Sequence, residues 1–499
     1  MRNQAPKFSV EAREVARIGR TLLAVAPFVV FFFVLLAMTI PHGLTSLVTG
    51  YNIPASTDSV GARTIFGWSD AGSSLSAAMS LRANAGITQD AVGIYNFWPP
   101  GMIAVDRVLL SVEAHLHIPI VLSMVLLNCA VWAIFLGVVF TLIRSIVSLR
   151  VALLFACGFF LYSGLNLWGI SVGLFYSDCF GAIAYCYCLL FLLMVVRAQT
   201  TRSRITFAVL SGVSLALACY FRASFELVAD ATLLVALVLC LALAIAAVVS
   251  RRTARHARLS SLWRGTVMPL TVMSIATQLT ILPWRIFAGI KIHPGDFRWS
   301  TVSDYASVER WVPSSVLLAR PGSFFKVLGH SNWACLSAPV ECAKIESLEK
   351  FTTTPYDPGQ IVPFSPSQFD HLTIKAILAH PLNFITERLY ALALGFANGT
   401  GPRLHTLALP ESIILVVLAL AIAILFIRSR SFTNPLYLFF FFATAIQFLT
   451  IAAIHMESRY FIAIEMSIIV LASFALVDPR LRRRWRDRDQ LETLAAKNE

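Results

Sequence analysis

The sequence has few charged residues for its length, and this shortage is its most informative feature. Only 13% of the 499 residues are Asp, Glu, Lys or Arg, whereas 57% are hydrophobic. A soluble globular domain carries roughly a quarter charged residues. The shortage therefore excludes a chain built of soluble domains, although the length would allow several of them.

Other patterns are missing too. The chain has no CxxC pair, no cluster of metal-ligating residues at recognisable spacing and no short-period repeat. A net charge of +13 would suggest nucleic acid in a soluble protein, but no basic patch interleaved with aromatic residues accompanies this charge. We therefore expect no nucleic-acid partner.

Long uncharged stretches recur along most of the chain. A bilayer core about 30 Å thick requires roughly 20 apolar residues in a helix, and about ten stretches approach this length. The sequence therefore predicts an all-α integral membrane protein. The predicted spans are 21–43, 118–143, 151–170, 174–196, 205–221, 227–250, 265–284, 409–427, 436–454 and 460–477.

The basic residues orient these spans. If the N-terminus is inside, the cytoplasmic tails and loops hold 24 of the 40 Lys and Arg residues, although they form a small minority of the chain. Positive charge on the inner side is typical of membrane proteins. We therefore expect both termini in the cytoplasm, with the basic C-terminal tail close to anionic lipid.

This orientation leaves two large segments outside, 44–117 and 285–408. Cys335 and Cys342 lie in the second, where oxidation is allowed. Either a disulfide joins them or they are two free thiols, and the sequence is consistent with both. The chain divides into a core of about seven spans, an outside segment, the last spans and a basic tail, which are 1–284, 285–408, 409–478 and 479–499.

The outside segments contain candidate interface helices. Ser69 is placed to cap a helix that starts near Asp70, and a second amphipathic helix is predicted to start near Pro100. Helices of this kind lie in the plane of the membrane interface. A helix over about 381–397 is either another interface helix or packed on the membrane domain. Taken alone, Asp70 is best interpreted as a solvated cap residue.

Acids and arginines gather at the predicted outer ends of the spans. They are Asp178, Arg222, Glu226, Arg285, Glu457 and Arg459. One arginine at a span end usually anchors by snorkelling. Several arginines beside acids suit an anionic ligand, because a guanidinium binds two phosphate oxygens at once. Outside a cell a lipid phosphate is the natural candidate, and a nearby carboxylate would take the proton of an acceptor hydroxyl.

In this order the motifs resemble those of the C-type superfamily of membrane glycosyltransferases, which use polyprenyl-phosphate-linked sugars. The likeness is strongest to the branch of protein mannosyltransferases and aminoarabinose transferases. The motifs are Ser69-Asp70-Ala71, the stretch from Tyr95 to Gly101, Tyr176-Ser177-Asp178, Pro283-Trp284-Arg285, His380-Pro381 and Glu457-Ser458-Arg459-Tyr460. Ala71, and the lack of a proline soon after Tyr460, depart from the family pattern and leave the acceptor open.

The resemblance implies roles for these residues. Asp70 looks like the catalytic base, with Asp58 as the alternative, and Asp178 looks like a second active-site acid. The residues implied to bind the donor phosphate are Arg459, Arg285 and Arg222. The residues implied to support the site are Asp58, Glu457, Tyr460 and Trp98, although both aromatic residues are also typical membrane-belt anchors.

The implied reaction is transfer of a sugar from a polyprenyl-phosphate donor to an acceptor hydroxyl on the outer face, with inversion. No cofactor is expected to be required, although Asp58, Asp70 and Asp178 would offer oxygen ligands to a divalent metal. The likeness to bacterial members favours the bacterial inner membrane, with a periplasmic active site. The alternatives are a secondary transporter, with polar residues near the bilayer midplane, and a non-catalytic lipid-handling subunit.

Overall fold

The structure is a computed structural model of the 499-residue chain. It describes residues 25–37, 70–83, 99–144, 148–149, 152–153, 177–249, 259–291, 340, 371, 374–375, 377–397, 413, 416–424, 434–453 and 461–477. These residues are helical apart from short connections, and they contain no β-strand. The predicted all-α class is confirmed for this part of the chain.

The helices follow one another along the chain with short connections where neighbours are described. In order they are α1 (Val25–Ala37), α2 (Asp70–Ala83), α3 (Pro100–Leu116), α4 (Ile120–Arg144), α5 (Ser177–Arg197), α6 (Thr201–Phe221), α7 (Ser224–Val249), α8 (Met268–Lys291), α9 (Pro381–Ala397), α10 (Pro435–Ala453) and α11 (Ile462–Val477). A π-helical turn, Trp263–Val267, precedes α8, and residues 416–424 are also helical.

Among the described residues, five helices are long and apolar enough to cross a bilayer. They are Leu122–Arg144, Ser177–Arg197, Thr201–Phe221, Ser224–Val249 and Leu259–Ile290. These coincide with the predicted second, fourth, fifth, sixth and seventh spans. The shorter apolar helices α1, α10 and α11 lie within the predicted first, ninth and tenth spans. Most of the third span lies outside the described residues.

Three helices outside these spans begin where the sequence predicted. They start at Asp70, Pro100 and Pro381. Proline suits the first turn of a helix, because an N–H there has no helical partner and the fixed φ of proline is already helical. These helices are confirmed, and their location in the membrane interface stays a prediction.

The chain forms two units. One comprises Met1–Gly72, Val108–Phe175 and Val470–Glu499, and the other comprises Ser73–Arg107 and Tyr176–Ile469. In the first unit α1 packs on α4, where the rings of Phe31 and Phe140 meet edge to face with centroids 6.0 Å apart. The second unit contains α5 to α10 and the candidate site.

Helix α5 lies in the core of the second unit. Its residues are buried on nearly all sides, as expected for a helix that is apolar all round. The ring of Tyr185 lies 6.1 Å from that of Phe439 on α10. Ser211 on α6 donates to the Cys188 carbonyl at 2.9 Å. Helix α5 is therefore held by α6 and α10 through both apolar and polar contacts.

The backbones of α6 and α8 approach closely at Gly212. A Cβ at this position would collide with the Met273 carbonyl, and Thr277 Oγ1 donates to the Gly212 carbonyl at 3.0 Å. Small residues allow such close approach between helices in a membrane. Farther along, the Tyr220 hydroxyl donates to the Thr280 carbonyl at 2.7 Å. Because both helices advance together, they are parallel, as the predicted order of spans requires.

Helix α8 continues beyond its predicted end. The sequence placed the end of this span at 284, after Pro283, but the helix runs through Pro283 to Lys291. Proline removes one backbone donor, whereas the apolar residues that follow, such as Ile286 and Phe287, continue the helical pattern. Arg285 therefore lies inside a helix and not in an exit loop.

Candidate functional site

An ion pair joins the end of α6 to the start of α5. Arg222 follows α6 in an extended conformation, and its backbone N–H donates to the Ala218 carbonyl. Its Nε lies 2.8 Å from Oδ1 of Asp178, and the two side chains are 13% and 4% exposed. Each charge is placed where the helix dipole favours it, because the cation is at a C-terminus and the acid is at an N-terminus.

A short connection fixes the position of Arg222. Only Arg222 and Ala223 separate α6 from α7. The N–H groups of Phe225 and Glu226 donate to the carbonyls of Arg222 and Ala223, respectively. With its carbonyl used in this turn, the backbone of Arg222 is held by the packing of two helices.

Apolar groups surround the ion pair. The ring of Phe180 stacks on that of Phe221 with centroids 5.3 Å apart. Gly181 leaves room for the arginine, since a Cβ there would lie 3.3 Å from Arg222 Cγ. Low local polarity strengthens a hydrogen-bonded pair and makes the loss of one partner costly.

We expect Asp178 and Arg222 to be energetically coupled. Asp178→Asn and Arg222→Gln should each destabilise the protein, and the double variant should lose less than the sum of the two. The expected coupling is about 0.5–3 kcal/mol, the range for residues in one ion-pair network. Thermal unfolding of the purified protein in detergent measures it, and additivity of the two substitutions would contradict a direct interaction.

The first turn of α3 packs directly on the last turn of α6. A Cβ on Gly101 would lie 2.5 Å from the carbonyl oxygen of Tyr220 and 2.9 Å from Cδ1 of Phe221. No side chain other than hydrogen fits this space without displacing backbone. Gly101 ends the stretch from Tyr95 that the sequence singled out. The structure therefore brings the end of that stretch beside Arg222.

A second charged group links α7 to α8. Arg285 Nη1 donates to Gln278 Oε1 at 2.7 Å, and Arg285 Nη2 lies 3.6 Å from Asp230 Oδ1. Gln278 Nε2 donates to the same Asp230 oxygen at 2.8 Å. The side chain of Arg285 is 1% exposed and that of Asp230 is 32% exposed. The guanidinium is thus enclosed by protein and bound to an amide and a carboxylate.

Glu226 directly follows the turn that contains Arg222. It is buried in the first turn of α7. Cys219 and Tyr220 on α6 both interact electrostatically with Glu226 and with Arg285. We call the region that contains Asp178, Arg222, Glu226 and Arg285 the charged end of the bundle. Ionisable residues inside a membrane are costly, and where they gather they mark a candidate site.

The structure places the predicted site residues unevenly. It brings Asp178 and Arg222 into direct contact, and it gives Arg285 other partners. Asp70 is the first residue of α2, but its side chain lies outside the described part. Other predicted site residues lie outside the described part of the chain. They are Asp58, Trp98, Cys335, Cys342, Glu457, Arg459 and Tyr460.

Several buried polar residues escaped the sequence reasoning. They are Asp106, Arg388 and Glu465, together with the partly exposed Asp230 and Gln278. A signal existed for Asp106, because it lies on the same face of α3 as Met102 and Ile103. A signal existed for Asp230 too, since it follows Glu226 by one helical turn within a predicted span.

A metal site is not apparent in the described part of the chain. These residues contain no group of three or more His, Cys, Asp or Glu side chains that could hold a metal ion. The side chains of Asp58 and Asp70 fall outside that part. The expectation that no metal is required therefore stays a prediction.

The charged end combines a partly exposed arginine with acids in an apolar setting. The Nε of Arg222 faces Asp178, and the side chain of Arg222 is 13% exposed. Similarity to known proteins gives no independent indication of what this end binds. A search of protein-family models, of curated proteins and of solved structures found no match to this chain.

Proposed function

We propose that the chain is a membrane glycosyltransferase. It moves a sugar from a polyprenyl-phosphate donor to an acceptor hydroxyl on the outer, periplasmic or luminal, face, with inversion at the anomeric carbon. The proposal includes the full set of about ten spans with both termini in the cytoplasm and, as the setting, the bacterial inner membrane. The proposed reaction requires no cofactor.

One observation carries the proposal. Two segments that the sequence selected separately, the stretch ending at Gly101 and the turn at Arg222, meet at one place. A single site for donor and acceptor requires such a meeting. The family resemblance implies active-site roles for residues in both segments, Trp98 in the first and Arg222 in the second.

The charged end supports a division of roles. Arg222, which is 13% exposed, would bind the donor phosphate, and Asp178 would hold its guanidinium in place. Arg285 is enclosed by Gln278 and Asp230, so it would support the bundle and not touch the donor. Arg459 would complete the phosphate site.

The reaction is a single displacement. The acceptor oxygen forms a bond to the anomeric carbon as the bond from that carbon to the phosphate oxygen breaks. The acceptor proton passes to the carboxylate of Asp70, acting as general base. The phosphate leaves with the bonding electrons, and arginines stabilise the charge that develops on it.

A mass-spectrometric profile of envelope glycans and glycolipids tests this function. Cells lacking the protein should lose one sugar modification and accumulate a polyprenyl-phosphate sugar. Wild type should restore the modification and Asp70→Asn should not, because an amide cannot take the acceptor proton. We expect Asp70→Asn to lower the rate of sugar transfer at least about 100-fold, which is the scale of general-base catalysis.

The matched control is Glu113→Gln, made on the neighbouring helix α3. Glu113 accepts the Ile120 N–H at 3.2 Å, and a glutamine oxygen can accept it as well. This variant should restore the sugar fully at equal membrane abundance. Restoration by Asp70→Asn would show that Asp70 is not the base and would remove the main support for an enzyme.

A secondary transporter is the second candidate, and the group around Arg285 favours it. From Arg285 to Gln278 the polar residues run about 10 Å down α8, at 1.5 Å per residue. Polar groups inside the bundle are typical of a substrate path. An unchanged glycan profile, together with ion-coupled uptake by proteoliposomes that Gln278→Leu abolishes, would favour the transporter.

A further inference from the structure

A carboxyl group is buried between α2 and α3. Asp106 is 0% exposed and lies on the face of α3 that also carries the buried residues Met102, Ile103 and Leu109. Ser74 of α2 contacts this face at Asp106, and the neighbouring Leu75 is also buried. An acid in such surroundings needs a reason, because an ionised carboxylate is costly to bury.

One hydroxyl binds this carboxyl group. Ser74 Oγ donates to Asp106 Oδ2 at 2.7 Å, and within the described residues Oδ1 has no hydrogen-bond partner. A carboxylate usually accepts several hydrogen bonds when it is buried and charged. Burial therefore raises the pKa of Asp106 from its ordinary value of 3.8 to about 7, and the hydrogen bond from Ser74 opposes this rise.

Among the described residues, the charged groups on neighbouring elements have other partners. On α3 itself, Arg107 Nη1 donates to the Leu81 carbonyl at 3.4 Å. At the end of α6, Arg222 pairs with Asp178. Among the described side chains, Ser74 alone contributes to the pKa of Asp106 besides burial. Within the described residues no charged side chain neutralises Asp106, and the raised pKa favours its protonated form.

The hydrogen bond lies near the start of α2. Ser74 follows Asp70 by one helical turn, and the contact of Arg107 with Leu81 lies near the other end of the same helix. The two contacts tie α2 to α3 at two points about ten ångströms apart along α2, at 1.5 Å per residue. The contact at Ser74 is the one that fixes the start of the helix.

We propose that Asp106 is a positioning residue whose protonated form holds α2 on α3 through Ser74 and so fixes the place of Asp70. The hydroxyl of Ser74 can donate to the carboxyl group or accept from it, so the contact persists in the neutral form, which is the form that is less costly to bury. This inference extends the proposed function, because it takes from that function the role of Asp70 as the base.

The direction of the pH effect follows from the raised pKa. Because the folded protein binds this proton more tightly than the unfolded chain, rising pH removes stability between the ordinary value and about 7. Above about 7 the carboxylate is charged, and separation of α2 from α3 lets water reach it. The start of α2 should therefore loosen as the outer solution becomes alkaline.

Hydrogen–deuterium exchange on the full chain in lipid nanodiscs tests this, at about pH 5.5 and about pH 8.5. Protection factors for α2, which correct for the intrinsic effect of pH on exchange, should fall in wild type by up to about 30-fold. Each pH unit between the ordinary pKa and the raised pKa of about 7 is a factor of about ten, and about 1.5 such units lie above about pH 5.5. Asp106→Asn, which keeps an acceptor for Ser74, should show no such fall.

Two further variants separate the contact from general effects. Ser74→Ala should give low protection at both pH values. Ser76→Ala, an exposed serine on the same helix, should behave as wild type. Equal protection of wild type at both pH values, or the same fall in Asp106→Asn, would overturn the proposal. If Asp106→Asn does not fold, wild type and Ser74→Ala still decide.

The pH profile of sugar transfer gives the second measurement. In wild type kcat should decline above about pH 7, and Asp106→Asn should remove this decline. If the exchange results hold and no sugar is transferred at any pH, the proposed function fails while the contact stands. If sugar is transferred and the profile of Asp106→Asn equals that of wild type, the positioning role fails.

Discussion

Replacing Asp230 with leucine is expected to lower the free energy of unfolding by about 3 kcal/mol, the lower end of the range for removing one partner of a buried ion pair. The carboxylate faces the guanidinium of Arg285 and accepts from Gln278. Its loss leaves a cation that is 1% exposed with less compensating charge. The lower end applies because Asp230 itself is 32% exposed.

A double substitution provides the control for this effect. Asp230→Leu combined with Arg285→Met removes both charges, and its stability should return to within about 1 kcal/mol of wild type, because well-packed apolar residues can replace a buried pair. Thermal unfolding in detergent, followed by loss of monodisperse protein, measures both variants. If Asp230→Leu alone were as stable as wild type, the interaction of Asp230 with Arg285 would not contribute to stability.

Gly101→Ala is expected to reduce sugar transfer by about 100-fold, the cost of misplacing a reacting group by roughly 1 Å. The added methyl group would meet the Tyr220 carbonyl at 2.5 Å, so α3 must move away from α6 or α6 must bend. Either movement separates the stretch that ends at Gly101 from Arg222. Overpacking of this kind also costs about 1–3 kcal/mol of stability.

Gly265→Ala is the matched control for Gly101→Ala. Among the described residues, the same methyl group at Gly265 would meet no atom within 4 Å beyond its chain neighbours and its own helix backbone. Since alanine is favoured over glycine in helices by up to about 1 kcal/mol, this variant should be as stable as wild type or more so, with full activity. Equal behaviour of the two alanine variants, in activity and in thermal unfolding, would show that the contact at Gly101 does not hold the site together.

The spans were predictable because their signal is local. Apolar length alone identified the segments that became α4 to α8, and proline or a capping residue marked the starts of α2, α3 and α9. These features depend on a few consecutive residues and on the thickness of a bilayer. The boundary after Pro283 was wrong because a proline weakens a helix without always ending it.

The pairing of side chains was not predictable in the same way. The sequence selected Asp178 and Arg222 as members of one site but could not place them in contact, since this requires knowing which helices are neighbours. The sequence did not lead to Asp106, because burial of one acid on an amphipathic helix depends on which helix covers it. An acid on the apolar face of such a helix is therefore informative, since it opposes the pattern.

The proline within α8 gives the charged end a mechanical property. Pro283 lies between Gln278 and Arg285, and it has no N–H to donate to the carbonyl of Leu279. The last two turns of α8 are therefore joined to the rest by one hydrogen bond fewer than elsewhere, and a helix bends most readily at such a point. Arg285 lies after Pro283 in the helix and Gln278 lies before it. The hydrogen bond between their side chains therefore joins the two parts of α8 on either side of the proline and opposes bending there.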